Sequence, residues 1–327
     1  MDIPQLLRND GIITEEDCQK IENYEQTKLF SVHWELRTIL YAGILLLTSG
    51  IGILVYKNID TIGHQAVLAA IALACMGCFY YCFKNKDSYS NQLVQNSSPL
   101  FDYIALLGNL LFGTFIGYFQ YQYQLFGNNL WAATLVTGIV FFVGAYLLDH
   151  KGLLSLGITS LASSIGLSIT PLQLLQSNNF DSKSLTFSAI VYGFGLAVVA
   201  KAGERERIKA HFSFTYNNFA INLLFCASLA SLFMYELKPI SFLLVLGISA
   251  YYIIHAINNQ RFYFMLLSVI YTYIAMTYAF YELMDFMHLG GWAFAIAQYY
   301  FVGTCGGMVY FLIEHKKILN KFYKLKK

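Results

Sequence analysis

Charge is what this chain has least of. Asp, Glu, Lys and Arg make up 12% of its 327 residues, against roughly 25% in a soluble domain. A soluble globular protein of this size needs a charged surface that such a composition cannot supply. No Asp, Glu, Lys or Arg falls in the middle of any long apolar run. A proton- or sodium-coupled carrier keeps such a residue buried, because coupling needs a group that titrates or binds the ion. That mechanism is therefore disfavoured. Cysteine is also placed unhelpfully for an extracellular framework: Cys18 lies in a polar N-terminal stretch, and Cys75, Cys78, Cys82, Cys226 and Cys305 lie inside apolar runs. No disulfide scaffold follows. None of the seven histidines stands beside Glu in a metalloprotease pattern. They fall at run ends and in loops, where they read as interfacial polar anchors. The opening stretch of about thirty residues is polar and acidic, so no cleavable signal peptide is expected and the first apolar run stays as an anchor.

What remains is apolar. Hydrophobic residues make up 57% of the chain, and mean hydropathy is +0.51. These residues are blocked into ten long runs, at about 36–56, 65–83, 101–119, 130–148, 152–171, 185–201, 217–235, 240–256, 262–281 and 292–313. Each covers, or nearly covers, a hydrocarbon core of ~30 Å at 1.5 Å per residue. Barrel strands would be about ten residues long with alternating polarity; these runs are longer and apolar on all sides. The expected fold is an all-α integral membrane protein with ten transmembrane helices.

Basic residues orient it. With the N-terminus inside, eighteen of the twenty-one Lys and Arg fall in inward segments, and only Lys57, Lys183 and Lys238 fall outside. This is the positive-inside pattern, and it places both termini in the cytoplasm. Three parts are expected. Residues 1–35 form a cytoplasmic arm with a helix from about 14 to 29, begun by Thr14 with Asp17 three residues on. Residues 36–313 form the ten-helix domain. Residues 314–327 form a basic amphipathic tail, "EHKKILNKFYKLKK", that should lie on anionic lipid at about 1 kcal/mol per basic residue. The loop at 84–100 reads as a flexible linker. "KAGERERIKAH", at 201–211, mixes both signs and reads as a solvated loop, not a nucleic-acid surface.

The stretch "YFQYQYQLFGNN", residues 118–129, alternates aromatic and amide side chains without a formal charge. Alone, that period argues for a strand. Between two spans on the outward side it becomes an aromatic belt at headgroup depth, since ten helices leave no sheet for it to join.

The same region resembles bacterial multi-pass proteins with the domain DUF2157. The residues that carry the resemblance are Gly113 and Gly117, then Gln124 and Gly127, then Tyr146 and Leu147. "LLRNDGIITEEDCQKI" is similar to that family's cytoplasmic arm, and "LRTILYAGILLLTSGIGILVYKNIDTIG" to its first span and turn. The chain departs at Asn58-Ile59, where the family often has Asn-Trp, and at Tyr121, where it often has Gln. The resemblance runs over roughly residues 5–170 and implies a bacterial cytoplasmic (inner) membrane location, but no activity.

Candidate sites are few. Cys75, Cys78 and Cys82 share one face of the second span, but no fourth soft ligand accompanies them and cysteine packs well as a buried hydrophobe. No metal and no cofactor are expected. Milder polarity inside the spans comes from Asn109, Asn222, Gln298 and the ridge Ser160, Ser164 and Ser168. This reads as close helix packing over small residues, with a polar path as the alternative. "GIGILVYK" at 50–57 resembles "GFGLAVVAK" at 193–201, a weak sign of two inverted five-span halves. On the outer side, Gln120, Gln122, Gln124 and Asn128, with Glu282, Asp285, His288 and Trp292, would make an amide and aromatic rim for a polar ligand if the two loops converge.

Three functions stay open. A non-enzymatic membrane protein without a cavity predicts a closed bundle. A carrier of a small polar or amphipathic solute predicts a cavity lined by the fifth span. An outer-face enzyme on lipid or glycan predicts acids and His clustered outside. Membrane lipids are the expected partners in every case.

Topology can be checked directly. On a cysteine-free background, new cysteines at Ser182 and Asn128 should react with an impermeant thiol reagent in intact cells. One at Ser88 should not, and its labelling would invert the orientation.

Overall fold

In the computed structural model, residues 33–94, 99–169, 182–235, 238–288 and 292–326 are described, together with Thr14. The expected arm helix at 14–29 lies outside the described residues. Among the described residues ten α-helices follow one another: α1 His33–Ile62, α2 His64–Asn85, α3 Pro99–Tyr123, α4 Leu130–Leu148, α5 Lys151–Ile169, α6 Lys183–Glu206, α7 Ser213–Met234, α8 Lys238–Asn259, α9 Phe262–Phe286 and α10 Trp292–Lys326. A short 3₁₀ turn, Ala210–Phe212, precedes α7. No strand occurs among the described residues. Each helix sits on one of the ten apolar runs. Eight of them, α2 to α9, are long and apolar enough to cross a membrane, and α1 holds a shorter apolar stretch, Thr38–Leu54.

The helices follow from the medium. A chain in hydrocarbon must satisfy its backbone internally, and α4, "LWAATLVTGIVFFVGAYLL", carries no charge with which to leave it. Its end is sharp. Asp149 takes a left-handed φ of 55° and its N–H bonds Ala145 O. Then α5 starts at once, with His150 Nδ1 accepting from Leu153 N at 3.1 Å. A two-residue corner thus joins two spans. The stretch "YFQYQYQLFGNN" is helical to Tyr123 and turns over residues 124–129. Gln120 explains that turn: its Nε2 donates to Gly127 O at 2.7 Å, and its Oε1 accepts from Phe126 N at 2.8 Å.

The chain divides into two compact units, residues 1–58 and 59–327. In the first, Thr48 and Ser49 of α1 bond back to their own helix, at Ile44 O (3.0 Å) and Leu45 O (2.8 Å). In the second, α7 is the central helix and packs on α5, α6, α8 and α9. Its Ala220, Ile221, Leu224 and Phe225 are at most 1% exposed. Small residues bring its neighbours close, as expected where lipid offers no hydrophobic drive. Gly193 of α6 lies against Leu224, where a Cβ would come within 2.8 Å of Cγ. Gly144 of α4 lies against the Asn109 amide of α3, at 2.9 Å from Oδ1 on the same test.

Side-chain contacts divide the loops of this unit between two ends. At the first end, residues 86–94, the Asp149 corner and residues 207–212 meet, and Arg261 lies 5.5 Å from the Phe214 ring centroid. At the second end, Lys183 lies over Tyr235 and Lys238 pairs with Glu282. Of the basic residues between 59 and 291, eight stand at the first end (Lys84, Lys86, Lys151, Lys201, Arg205, Arg207, Lys209 and Arg261) and two at the second (Lys183 and Lys238).

The glycine contacts make a paired prediction. Gly193→Ala should lower thermal stability in detergent by about 1–3 kcal/mol through overpacking. Gly195→Ala, where a Cβ meets nothing within 4 Å, should leave it unchanged or slightly raised.

Candidate functional site

The residues singled out in the sequence take varied places. At the α3–α4 turn, Gln120 is 4% exposed and spends both amide groups on its own turn. Gln122 is half-buried, and Gln124 and Asn128 are exposed. At the end of α9, Glu282 pairs with Lys238 at 2.8 Å. Asp285 and His288 are exposed, and His288 Nδ1 bonds Phe286 O at 2.8 Å. Trp292 opens α10, and its side chain lies outside the described residues. Among the described residues no hydrogen bond or ion pair joins these two groups.

Inside the spans, most polarity is turned onto helix backbone. Ser160 Oγ donates to Thr134 O at 2.7 Å and Ser164 Oγ to Trp131 O at 2.9 Å, stapling α5 to α4. Ser168 bonds its own helix at Ile165 O, at 2.8 Å. Asn109 is fully buried; its Nδ2 donates to Ala105 O at 2.8 Å, while its Oδ1 has no partner. Asn222 Nδ2 donates to Asn218 O, and its Oδ1 accepts from Tyr271 OH at 2.9 Å. Gln298 is exposed on α10. A recess of about 390 Å³ opens between α3 and α4 beside Gly113, Gly117, Thr114, Thr137 and Ser160. Its hydroxyls are already committed as donors, to Leu110 O, Ala133 O and Thr134 O.

One cluster was not anticipated. The stretch 201–211 reads as solvated, yet Lys209 is 2% exposed. Its Nζ lies 3.0 Å from Asp149 Oδ2, with the two side chains 1% and 3% exposed. His211 Nε2 donates to Asp149 Oδ1. Val94 N donates to Oδ2 at 2.7 Å. Lys209 N donates to Asn91 O at 2.8 Å, and its ammonium sits 5.0 Å from the Tyr89 ring centroid. The supposed linker is therefore pinned at 89–94 by the two neighbouring loops. A carboxylate and an ammonium can be buried here because they pair with each other, the carboxylate accepts further hydrogen bonds, and the ammonium also lies over the Tyr89 ring. The signal that could have pointed to it is Asp149 itself, an acid caught in a two-residue corner between apolar runs.

A second opening lies between α6 and α8 where both rest on α7. It holds about 430 Å³, is open along one side, and is lined by Phe194, Val198, Leu224, Leu243, Gly247 and Ile248, with Lys201, Tyr251 and Tyr252 at one end. That volume is in the range of small-molecule sites. Along α8 the lining runs from Leu243 to Tyr252, about 14 Å at helical rise. The polar end belongs to the first end of the bundle. Lys201 is exposed and makes no ion pair among the described residues. Tyr252 is fully buried and its hydroxyl has no partner. Glu204, on the same end of α6, accepts a hydrogen bond from Ser213.

Residues 5–154 match the model of the family described as predicted membrane protein (DUF2157). That similarity lies in the first part of the chain. It takes in α1 to α4 and the Asp149 corner and ends as α5 begins. The partners of Asp149 at 209 and 211, and the whole α6–α8 groove, lie beyond it. No curated protein and no solved structure matches the chain.

The ion cluster predicts a mutational signature. Lys209→Met should destabilise the protein by about 3–5 kcal/mol, because it strands a buried carboxylate. Adding Asp149→Asn, which keeps a residue tolerant of the left-handed backbone, should recover a large part of that loss. Thermal unfolding of the single and double variants in detergent measures both.

Proposed function

We propose that this protein is a non-enzymatic, ten-span protein of a bacterial cytoplasmic membrane that holds an amphipathic molecule taken from the lipid phase. The observation that carries this reading is the α6–α8 groove, apolar along its length and polar at one end. A lipid-like molecule matches that profile. A small polar solute does not, since the walls offer it no donors or acceptors at mid-depth. An outer-face enzyme would use Glu282, and that carboxylate is already engaged by Lys238. The α3–α4 turn, with Gln122, Gln124 and Asn128, serves in this reading as an interfacial belt.

The eight-to-two division of basic residues supports a cytoplasmic first end. α1 and α10 complete the ten spans, and both termini lie inside. Residues 1–35 are then a cytoplasmic arm, and the basic end of α10 from 314 onward leaves the membrane through the headgroup layer, where its lysines meet anionic lipid.

Filling each recess in turn tests the assignment. Gly247 lines the groove, and a Cβ there meets nothing within 4 Å. Gly117 stands in the same position in the α3–α4 recess. Native mass spectrometry of protein purified in mild detergent should show a retained amphipathic adduct. Gly247→Phe should reduce it at least about tenfold, a loss of roughly 1.4 kcal/mol. Gly117→Phe should leave it. The opposite pattern would move the site to the α3–α4 recess, and an adduct that survives both substitutions would remove it from either.

A further inference from the structure

The groove is not symmetrical in charge, and that asymmetry narrows what fills it. Its walls from Phe194 and Leu243 onward are hydrocarbon. At its polar end stands Lys201, a cation with no acidic partner among the described residues. An unpaired ammonium at the mouth of an apolar groove favours an anion tethered to an apolar chain. The surroundings reinforce that sign. Lys201, Glu204 and Arg261 all lie within electrostatic reach of His255. Glu204, the acid among them, is turned to the Ser213 hydroxyl. Arg261 Nη1 is buried with no hydrogen-bond partner. Two cations and one engaged acid leave this corner positive.

A neutral donor lines the same groove. Tyr252 lines the groove, is fully buried, and has an unpartnered hydroxyl. A buried hydroxyl left unmade costs free energy that a ligand acceptor would recover. Nothing in the packing of Tyr252, whose ring lies 5.1 Å from that of Tyr251 and 6.1 Å from that of Phe264, requires the oxygen.

We infer that the occupant is an anionic phospholipid of the leaflet at the first end, with one acyl chain in the α6–α8 groove and its phosphate against Lys201 and the Tyr252 hydroxyl. This rests on the groove being a binding site, as proposed above, and adds the class of ligand. It also assigns roles. Lys201 sets the charge preference and Tyr252 supplies a directional donor. Gly247 leaves the room that the chain occupies. The two kinds of residue should therefore fail differently when changed.

The test titrates purified protein in neutral detergent with phosphatidylglycerol and with phosphatidylcholine of identical chains, counting bound lipid by native mass spectrometry. The tail's own lysines attract anionic lipid, so every arm carries Lys316, Lys317, Lys321, Lys324, Lys326 and Lys327 replaced by Gln. Phosphatidylglycerol should bind about tenfold more tightly than phosphatidylcholine, as one charge-assisted contact allows. Lys201→Gln should abolish that preference, weakening phosphatidylglycerol about tenfold and phosphatidylcholine, whose choline offsets its phosphate, much less, and Lys201→Arg should keep it. Tyr252→Phe should weaken both lipids severalfold without lowering thermal stability, since the hydroxyl it removes has no partner in the fold. Gly247→Phe should lose both lipids. An unchanged preference in Lys201→Gln, with Gly247→Phe losing both lipids, would overturn the headgroup assignment alone. Undiminished binding in Gly247→Phe would overturn the groove itself. Oleate outcompeting phosphatidylglycerol at equal concentration would replace the phospholipid with a free fatty acid and so refute the inference as stated.

Discussion

Asp149 has to be neutralised, and most of the order at one end of the bundle follows from how that is done. A carboxylate at 3% exposure is tolerable only with close counter-charge and filled lone pairs. Lys209 and His211 come from the α6–α7 connection and Val94 from the α2–α3 connection, so one side chain gathers three loops. The α4–α5 corner is only two residues long and leaves Asp149 little freedom to move away. The helix hairpins on either side are thereby held in register at their ends. Between those ends, association is left to small-residue contacts such as Gly193 on Leu224 and Gly144 on Asn109.

The groove is a by-product of the same economy of contacts. α7 is buried by neighbours on several sides, and α6 and α8 both spend their apolar faces on it. What they do not fill between themselves stays open, and Gly247 keeps it so. The hydroxyl-lined recess near Gly113 differs in kind: its polar groups are consumed by backbone carbonyls, which is how Ser and Thr are commonly quieted inside apolar helices. Of these two, the α6–α8 opening keeps a cation without an ion pair and an unpartnered hydroxyl among its described lining residues.

Much of the architecture was legible because membrane helices are written in runs. Each of the ten apolar stretches became a helix, and the alternating stretch at 118–129 failed as a strand for the reason given, the lack of any sheet to join. Its helical part ran on to Tyr123 because Gln120 caps the turn from within, a role that amide spacing alone does not reveal. The DUF2157 resemblance was legible too, and the match at 5–154 bears it out. The ion cluster was not legible. Lys209 and His211 look like ordinary loop charges, and only the meeting of residues near 91, 149 and 209 buries them. The groove was invisible for a simpler reason: it is a place where side chains are missing, and spacing along one helix does not say what its neighbours leave empty.

The length of α10 has a mechanical consequence. Its 35 residues form a rod about 52 Å long, against a hydrocarbon layer of about 30 Å. Tilting cannot absorb the difference, because even a slope of about 40°, the upper end of what spans adopt, leaves the rod some 10 Å too tall. In the ten-span reading proposed above, at least two turns therefore stand clear of the acyl chains. Since the backbone stays helical to Lys326 without a hinge, a push on that protruding part would be transmitted as a rotation of the whole rod.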